Sequence, residues 1–389
     1  MSGLPTAEVS RKGEARIARG HPWVFRSDVA RTDRARGGDV VRVLGPRGKP
    51  LAFAFYSERS EIALRVLERG DSLPEGFIRQ RLERALRWRE TVAGDAEAYR
   101  LVHGEGDLLP SIVVDRYGPF LVVQTLSQAA EARKAELVQA LRDLLSPEGV
   151  VERNDPRVRQ LEGLEQTVGV LHGAVPERVA VREGDVVFEA DLRHGQKTGL
   201  FLDQRENHLA ALRYARGRAL DAFSYNGGFG LHLARACEEV LAVDVSGEAV
   251  ERVRANAARN GLANVTAREA NVFDLLRELE HAGERFDTVV LDPPAFAKSK
   301  GAVEKAVRGY KDINLRALRL LRPGGFLVTC SCSYHVHEPD FEAIVADAAA
   351  DAGATVTVVE KRRQARDHPV LLGVPETYYL KCFVLRRAE

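Results

Sequence analysis

The sequence predicts an α/β protein: a mostly parallel sheet, preceded by a small β-rich unit and a central α+β unit. Three observations carry this. From about Asp191 onward, short apolar runs alternate with helix-period stretches, the pattern of successive βαβ units. Before residue 70 the apolar residues alternate with period two and are cut by Gly and Pro. Between the two, strand-like and helical runs mix without a repeating unit. The 389 residues suit two or three domains, and we place the boundaries at 1–72, 73–190 and 191–389.

Composition sets the outer bounds. Hydrophobic residues make up 45% and charged residues 29%, ordinary values for a chain that buries real cores. The formal net charge of +1 hides a gradient, because residues 1–70 hold 14 Lys+Arg against 8 Asp+Glu. A basic small domain beside a mildly acidic large one suits a polyanion partner. Four cysteines without framework spacing point to a reducing cytoplasm. No charged-then-apolar leader opens the chain and no apolar run approaches 18 residues, so no membrane partner is expected. A homodimer is compatible with all of this.

In the first unit, Asp39–Leu44, Leu51–Tyr56 and Ile62–Leu67 read as strands of a small barrel or sandwich. Arg19, His21 and Trp23 precede them as candidates to stack on or clamp RNA, although lone aromatics more often fill a core. A linker at Gly70–Pro74 leads to a helix from Gly76. Its Arg79, Arg81, Arg84, Arg87 and Arg89 read as a solvated face, with a phosphate-binding face as the alternative. Strands follow at Ser111–Asp115, Phe120–Leu126, 149–152 and 168–171, with a helix at 129–145.

The third unit carries the chemistry. Ala219–Phe223 is its first strand, followed by the loop Ser224-Tyr225-Asn226-Gly227-Gly228-Phe229-Gly230. Glu239–Val243 is the second strand and ends in Asp244. Ser246 caps the next helix. Val265–Ala270 is the third strand and ends at Asn271. Phe286–Leu291 is the fourth, stopped by Asp292-Pro293-Pro294, since proline cannot donate to a ladder. After a turn at Pro323-Gly324-Gly325, strand Phe326–Ser331 ends at Cys332. Ligands bind at the carboxyl ends of strands in open parallel sheets, so Asp292 and Cys332 should meet in one crevice. The glycine loop matches neither G-x-G-x-x-G nor a P-loop, which disfavours a pyrophosphate ligand. A glycine loop with Asp244 for a ribose and Asn271 for an adenine edge fits S-adenosylmethionine.

These residues resemble a known family. The chain is similar throughout to the PUA-containing 23S ribosomal RNA cytosine-5 methyltransferases. Its first unit resembles their PUA domain. Leu101–Glu105 with Val114–Gly118 resembles their central signature, and Lys197-Thr198-Gly199 with Asp203-Gln204-Arg205 the segment closing over the cofactor. Leu291–Phe296 and Ser331-Cys332-Ser333 resemble their two catalytic motifs, and Asp367–Val370 with Tyr379-Leu380-Lys381 their C-terminal pattern. The resemblance implies a Rossmann-like class I methyltransferase domain, an N-terminal β-rich PUA-like domain and a central α+β domain. It also implies methylation of carbon 5 of a cytosine in large-subunit (23S) rRNA. Carried over residue by residue, Phe201, Asp203, Arg205, Asp221, Phe223, Tyr225, Asn226, Gly227 and Gly228 would hold S-adenosylmethionine. So would Asp244, Val245, Ser246, Asn271, Val272, Asp292 and Pro293. Cys332 and Asp292 would be catalytic. From the residues themselves, Lys298 and Lys300 after the first motif read as grips on RNA phosphates beside Arg19, His21 and Trp23, or equally as idle surface charges.

The chemistry is consistent with that resemblance. Carbon 5 of cytosine is too weak a nucleophile unless a thiolate first adds to carbon 6. A protonated carboxyl group in a dry site can hydrogen-bond ring nitrogen 3. Cys330 lies two residues deeper than Cys332 and is the weaker candidate. Cys330, Cys332, His335 and His337 could in principle ligate zinc, but they lack the distant partner pair usual in structural sites, so no metal is expected. Two alternatives are an amino-group methyltransferase on guanine or adenine, which would need no thiol, and a non-catalytic rRNA-binding assembly factor.

Overall fold

The computed structural model describes residues 4–297 and 299–388, without the side chain of Lys300. The chain divides into two compact units. One comprises residues 1–181, 190–200 and 366–377. The other comprises residues 182–189, 201–365 and 378–389.

The first unit contains two sheets. A six-stranded sheet runs in the order Trp23–Phe25, Ile62–Arg69, Pro50–Tyr56, Val40–Leu44, Thr6–Val9, Val29–Asp33. Its alternating Val41, Val43, Ala52 and Ala54 pack on Ile17 of helix Arg11–Ala18 and on Val9 and Val24. Arg19–Phe25 precedes the three strands read from sequence, and two further strands that the reading did not name lie at Thr6–Val9 and Trp23–Phe25. The five-stranded sheet has the order Thr167–Gly173, Gly149–Asn154, Phe120–Thr125, Ile112–Tyr117, Ala98–His103. Helix Phe77–Val92 buries Phe77, Ile78 and Leu82 in a core shared with Phe55 and Leu67 of the six-stranded sheet. The arginines of that helix are not uniformly solvated. Arg81 donates to the carbonyl of Leu67, and Arg89, 1% exposed, makes a two-pronged contact to Asp107 at 2.5 and 2.7 Å. Buried guanidinium groups need such partners.

The second unit is built on a seven-stranded sheet. The order is Val265–Glu269, Glu239–Asp244, Arg218–Ala222, Phe286–Leu291, Leu321–Ser331, Lys381–Arg387, Val356–Arg363. The first five strands are parallel, and Lys381–Arg387 is antiparallel to both its neighbours. Phe286–Leu291 has the expected bounds, and its near-continuous apolar run reflects helices on both faces. On one face, Leu327, Phe383 and Leu385 pack on helices Val272–His281, Val303–Leu320 and Glu338–Ala352. On the other, Val328, Cys330, Cys382 and Val384 pack with Phe229 and Leu233 of helix Gly228–Leu233. The expected turn at Pro323-Gly324-Gly325 falls inside strand Leu321–Ser331. The register slips there, from Phe286 opposite Leu321 to Thr288 opposite Phe326. A bulge absorbs residues that neither pair nor end the strand. The chain order reverses between Arg218–Ala222 and Phe286–Leu291, which opens a crevice at their carboxyl ends. Among the described residues, no helix is long and apolar enough to cross a membrane.

Candidate active site

The glycine loop stands at that crevice. Ala222 pairs with Leu291 in the sheet, and the N–H of Asp292 reaches the carbonyl of Ala222 at 3.4 Å. The loop's backbone is unusual. Phe223 and Tyr225 both take positive φ, at 68° and 49°, and Gly227 follows at 89°. Two non-glycine residues in the left-handed region mark a backbone held in place by its surroundings. One holding group is Asp244, whose carboxylate accepts the N–H of Tyr225 at 2.9 Å and that of Ser246 at 3.0 Å. Ser246 caps helix Gly247–Arg259 as expected. Phe201 packs edge-on against Tyr225, with ring centroids 4.9 Å apart. Any side chain at Gly228 would strike the ring of His208 at 2.6 Å.

Asp221 lies on the buried strand beneath the loop. It accepts the N–H of Gly230 at 2.7 Å, and its other oxygen is buried with no partner among the described residues. Burial is the main force pushing its carboxyl up to about 7, with the Asp292 charge adding to it. The Ser224 hydroxyl is likewise buried, with no partner among the described residues. Two buried polar groups beside a glycine loop fit a polar ligand.

The other expected cofactor residues fall in different surroundings. Val245 is 69% exposed at the tip of its strand. Asn271 is exposed, and its side-chain oxygen caps helix Val272–His281 through the N–H of Phe273. Val272 is buried in the core. Asn226 is buried, and its carbonyl accepts from Asn256. Asp203 accepts the hydroxyl of Tyr379 at 2.8 Å, and Arg205 is buried at the start of helix Arg205–Leu212.

Asp292 and Cys332 follow the ends of adjoining strands. Leu291 pairs with Thr329, so strand Leu321–Ser331 runs on past the tip of its neighbour. The Cys332 thiol, half-buried, lies 3.7 Å from the carbonyl of Pro293. Cys330 is fully buried opposite Cys382, and its thiol is pushed far up by burial. Cys237 is pushed up to about 11, also by burial. Asp292 accepts the side-chain N–H of Gln204 at 2.8 Å, and Gln204 in turn accepts from Asn207 at 2.6 Å. Gln204 is therefore a site residue that sequence reasoning passed over, although it lay inside a quoted motif. Ser333 is fixed by the N–H of Ala297 at 3.0 Å and the hydroxyl of Tyr310 at 2.9 Å.

His21 and Trp23 belong to the first unit, and their polar edges face inward. Trp23 donates its indole N–H to Glu105 at 2.9 Å. His21 accepts the N–H of Trp23 and lies 3.4 Å from Glu376. Arg19 is exposed. Lys298 and the side chain of Lys300 lie outside the described residues.

Cys330, Cys332, His335 and His337 form no ligand cluster among the described residues, and His337 caps helix Glu338–Ala352. One buried cluster lies elsewhere: Glu183 accepts from His208 at 2.7 Å and from His232 at 3.1 Å. The two bonds account for that cluster as an ion-pair network.

Comparison with known proteins now decides the family. A PUA-like domain model matches residues 8–69, and an S-adenosylmethionine-dependent methyltransferase model matches residues 100–385. The chain belongs to the S-adenosylmethionine-dependent methyltransferase family. A Klebsiella pneumoniae protein named ribosomal RNA large subunit methyltransferase I is 41% identical over 393 residues, covering 98% of each chain. An Escherichia coli O157:H7 protein of the same name is 42% identical over 383 residues, 96% of this chain and 97% of that one. A Streptococcus mutans methyltransferase structure superposes with a TM-score of 0.83 at 20% identity, covering 98% of this chain and 99% of that one. A second methyltransferase structure, solved with S-adenosylhomocysteine, gives a TM-score of 0.84 at 20% identity and the same coverage. At that identity the structures speak for the fold. S-adenosylmethionine is the cofactor of this methyltransferase. The loop from Phe223 to Gly230, with Asp221 and Asp244, has the buried polar groups and open backbone to hold it.

Proposed function

We propose that this methyltransferase transfers a methyl group to carbon 5 of a cytosine in large-subunit rRNA, through a covalent adduct with Cys332. The observation that carries the reading is the half-buried Cys332 thiol beside the Asp292-Pro293 strand end, at the edge that bears the glycine loop. The relatives' names support rRNA as substrate, and the PUA-like domain supports an RNA partner. No comparison supports a homodimer. The domain boundaries at 72 and 190, the remaining cofactor contacts and a cytoplasmic setting belong to the same proposal.

S-adenosylmethionine supplies an electrophilic methyl group. The residues of the chain supply the rest. The Cys332 thiolate forms a bond to carbon 6, and the electrons of the 5,6 double bond move to carbon 5, which takes the methyl. Asp292, aligned by Gln204, takes up a proton for this step, donates it in a hydrogen bond to ring nitrogen 3 and stabilises the charge that gathers there. A base then takes the carbon-5 proton, the double bond re-forms and sulfur leaves. RNA carrying 5-fluorocytosine should stall at this last step, because fluorine replaces the departing proton. The expected result is a denaturant-resistant protein–RNA complex mapped to Cys332. Cys332→Ala should lose the complex and methyl transfer but keep cofactor binding. Asp292→Asn should slow turnover by about a hundredfold or more. Cytosine methylation by the Cys332→Ala protein would overturn the scheme.

A further inference from the structure

We propose that the Lys381 ammonium is the counter-charge of the Cys332 thiolate, a positioning residue that holds the sulfur ionised before substrate arrives. The inference rests on Cys332 being the attacking thiol.

The placement comes from sheet register. Lys381 opens strand Lys381–Arg387 and pairs with Ser331, the residue before Cys332. Its Nζ donates to the carbonyl of Ser333, the residue after Cys332, at 2.8 Å. A second bond at 3.0 Å goes to the carbonyl of Tyr379. Lys381 thus contacts the chain on both sides of Cys332, and only 2% of it is exposed. Carbonyls satisfy N–H groups but carry no net charge, and a buried ammonium needs an anion.

The surrounding elements offer few anions. Glu338, at the start of helix Glu338–Ala352, accepts the Tyr378 hydroxyl at 2.5 Å and lies 3.8 Å from Lys361. Asp292, at the neighbouring strand end, is engaged with Gln204. Tyr310, on helix Val303–Leu320, is engaged with Ser333, and burial pushes its hydroxyl up. The Cys330 thiol is pushed far up, so it stays neutral. Of the neighbours able to carry a negative charge, Cys332 ranks ahead of Glu338 in its pull on Lys381. Burial lowers the lysine to about 8, which leaves it a cation at neutral pH. As the pair forms, the thiol proton passes to solvent water and Lys381 keeps its own.

The test needs no RNA. The full chain is treated with iodoacetamide across a pH series, and alkylation of the peptide bearing Cys332 is followed by mass spectrometry. The other three cysteines are buried and serve as internal controls. Lys381→Met should slow alkylation at pH 7 by about tenfold, as expected for about one unit of lost thiolate stabilisation, and move the midpoint upward. Lys381→Arg should restore both. Cofactor binding by calorimetry checks the fold. If Lys381→Met fails that check, Lys381→Gln, which keeps a donor for Ser333, is measured in its place. An unchanged profile in the neutral variant overturns the pairing, even if Cys332→Ala abolishes methylation. A shifted profile beside a Cys332→Ala protein that still methylates upholds the pairing and sinks the covalent scheme.

Discussion

Asp221 occupies a strand interior where a leucine or valine would be ordinary. Its one described hydrogen bond, from Gly230, leaves a carboxyl oxygen buried without a partner. The group is an acid whose folded pKa is raised, from 3.8 to about 7. Its contribution to stability is therefore fully present below about pH 4 and is lost as pH rises through about 7. Asp221→Asn can still accept from Gly230 but cannot ionise. Its melting temperature should draw level with wild type near pH 4 and exceed it by a few degrees at pH 8. Affinity for S-adenosylmethionine should fall in the same variant, since a strained acid at a binding site is retained for its ligand. A pH-independent difference in melting temperature would show that Asp221 is not titrating in this range.

At the scale of elements, the glycine loop is seated by polar side chains from three separate pieces of chain. Glu183 ends strand Arg178–Glu183, His208 lies on helix Arg205–Leu212 and His232 on helix Gly228–Leu233. One carboxylate joins both histidines, and the His208 ring packs against Phe229 and beneath Gly228. Burial opposes the charge on Glu183 most strongly, yet the two histidines together hold its carboxyl down at about 2. Burial likewise opposes the charge on His208, but Glu183 outweighs it and raises that imidazole. The depressed acid contributes stability above its unfolded pKa and loses it as pH falls through about 2. The raised histidine contributes below its unfolded pKa and loses it as pH rises through the folded value. Glu183→Gln should therefore cost most between about pH 5 and 6, on the order of 3–5 kcal/mol for a buried pair stripped of one partner. Chemical denaturation at pH 3, 5.5 and 9 measures this, and a gap of constant size would exclude the ion pair. These partners are 25 and 49 residues from Glu183 in the chain, so no local pattern points to them.

At the scale of the molecule, the parts legible in sequence are those with local physics. Phe286–Leu291 was readable because a buried strand is a continuous apolar run and Asp292-Pro293-Pro294 must end it. Ser246 was readable because N-caps use a small hydroxyl. Lys381 could not be given a role that way, because its position beside Cys332 depends on antiparallel pairing across 50 residues. Pro323-Gly324-Gly325 misled because bulge residues and turn residues look alike. The charge gradient is also a whole-molecule property, and it calls for a test that leaves the fold intact. Phe55 and Leu67 share a core with Phe77, Ile78 and Leu82, so deleting the first 72 residues would open that core. Arg19 is exposed at the end of helix Arg11–Ala18 and can be changed alone. If the basic surface grips RNA phosphates, Arg19→Ala should weaken binding to all RNA sequences alike. The slope of log affinity against log salt should shrink by about one, the share of a single phosphate contact. Affinity for S-adenosylmethionine should not move. Filter binding across a salt series reads both quantities, and an unchanged slope would take Arg19 out of the RNA surface.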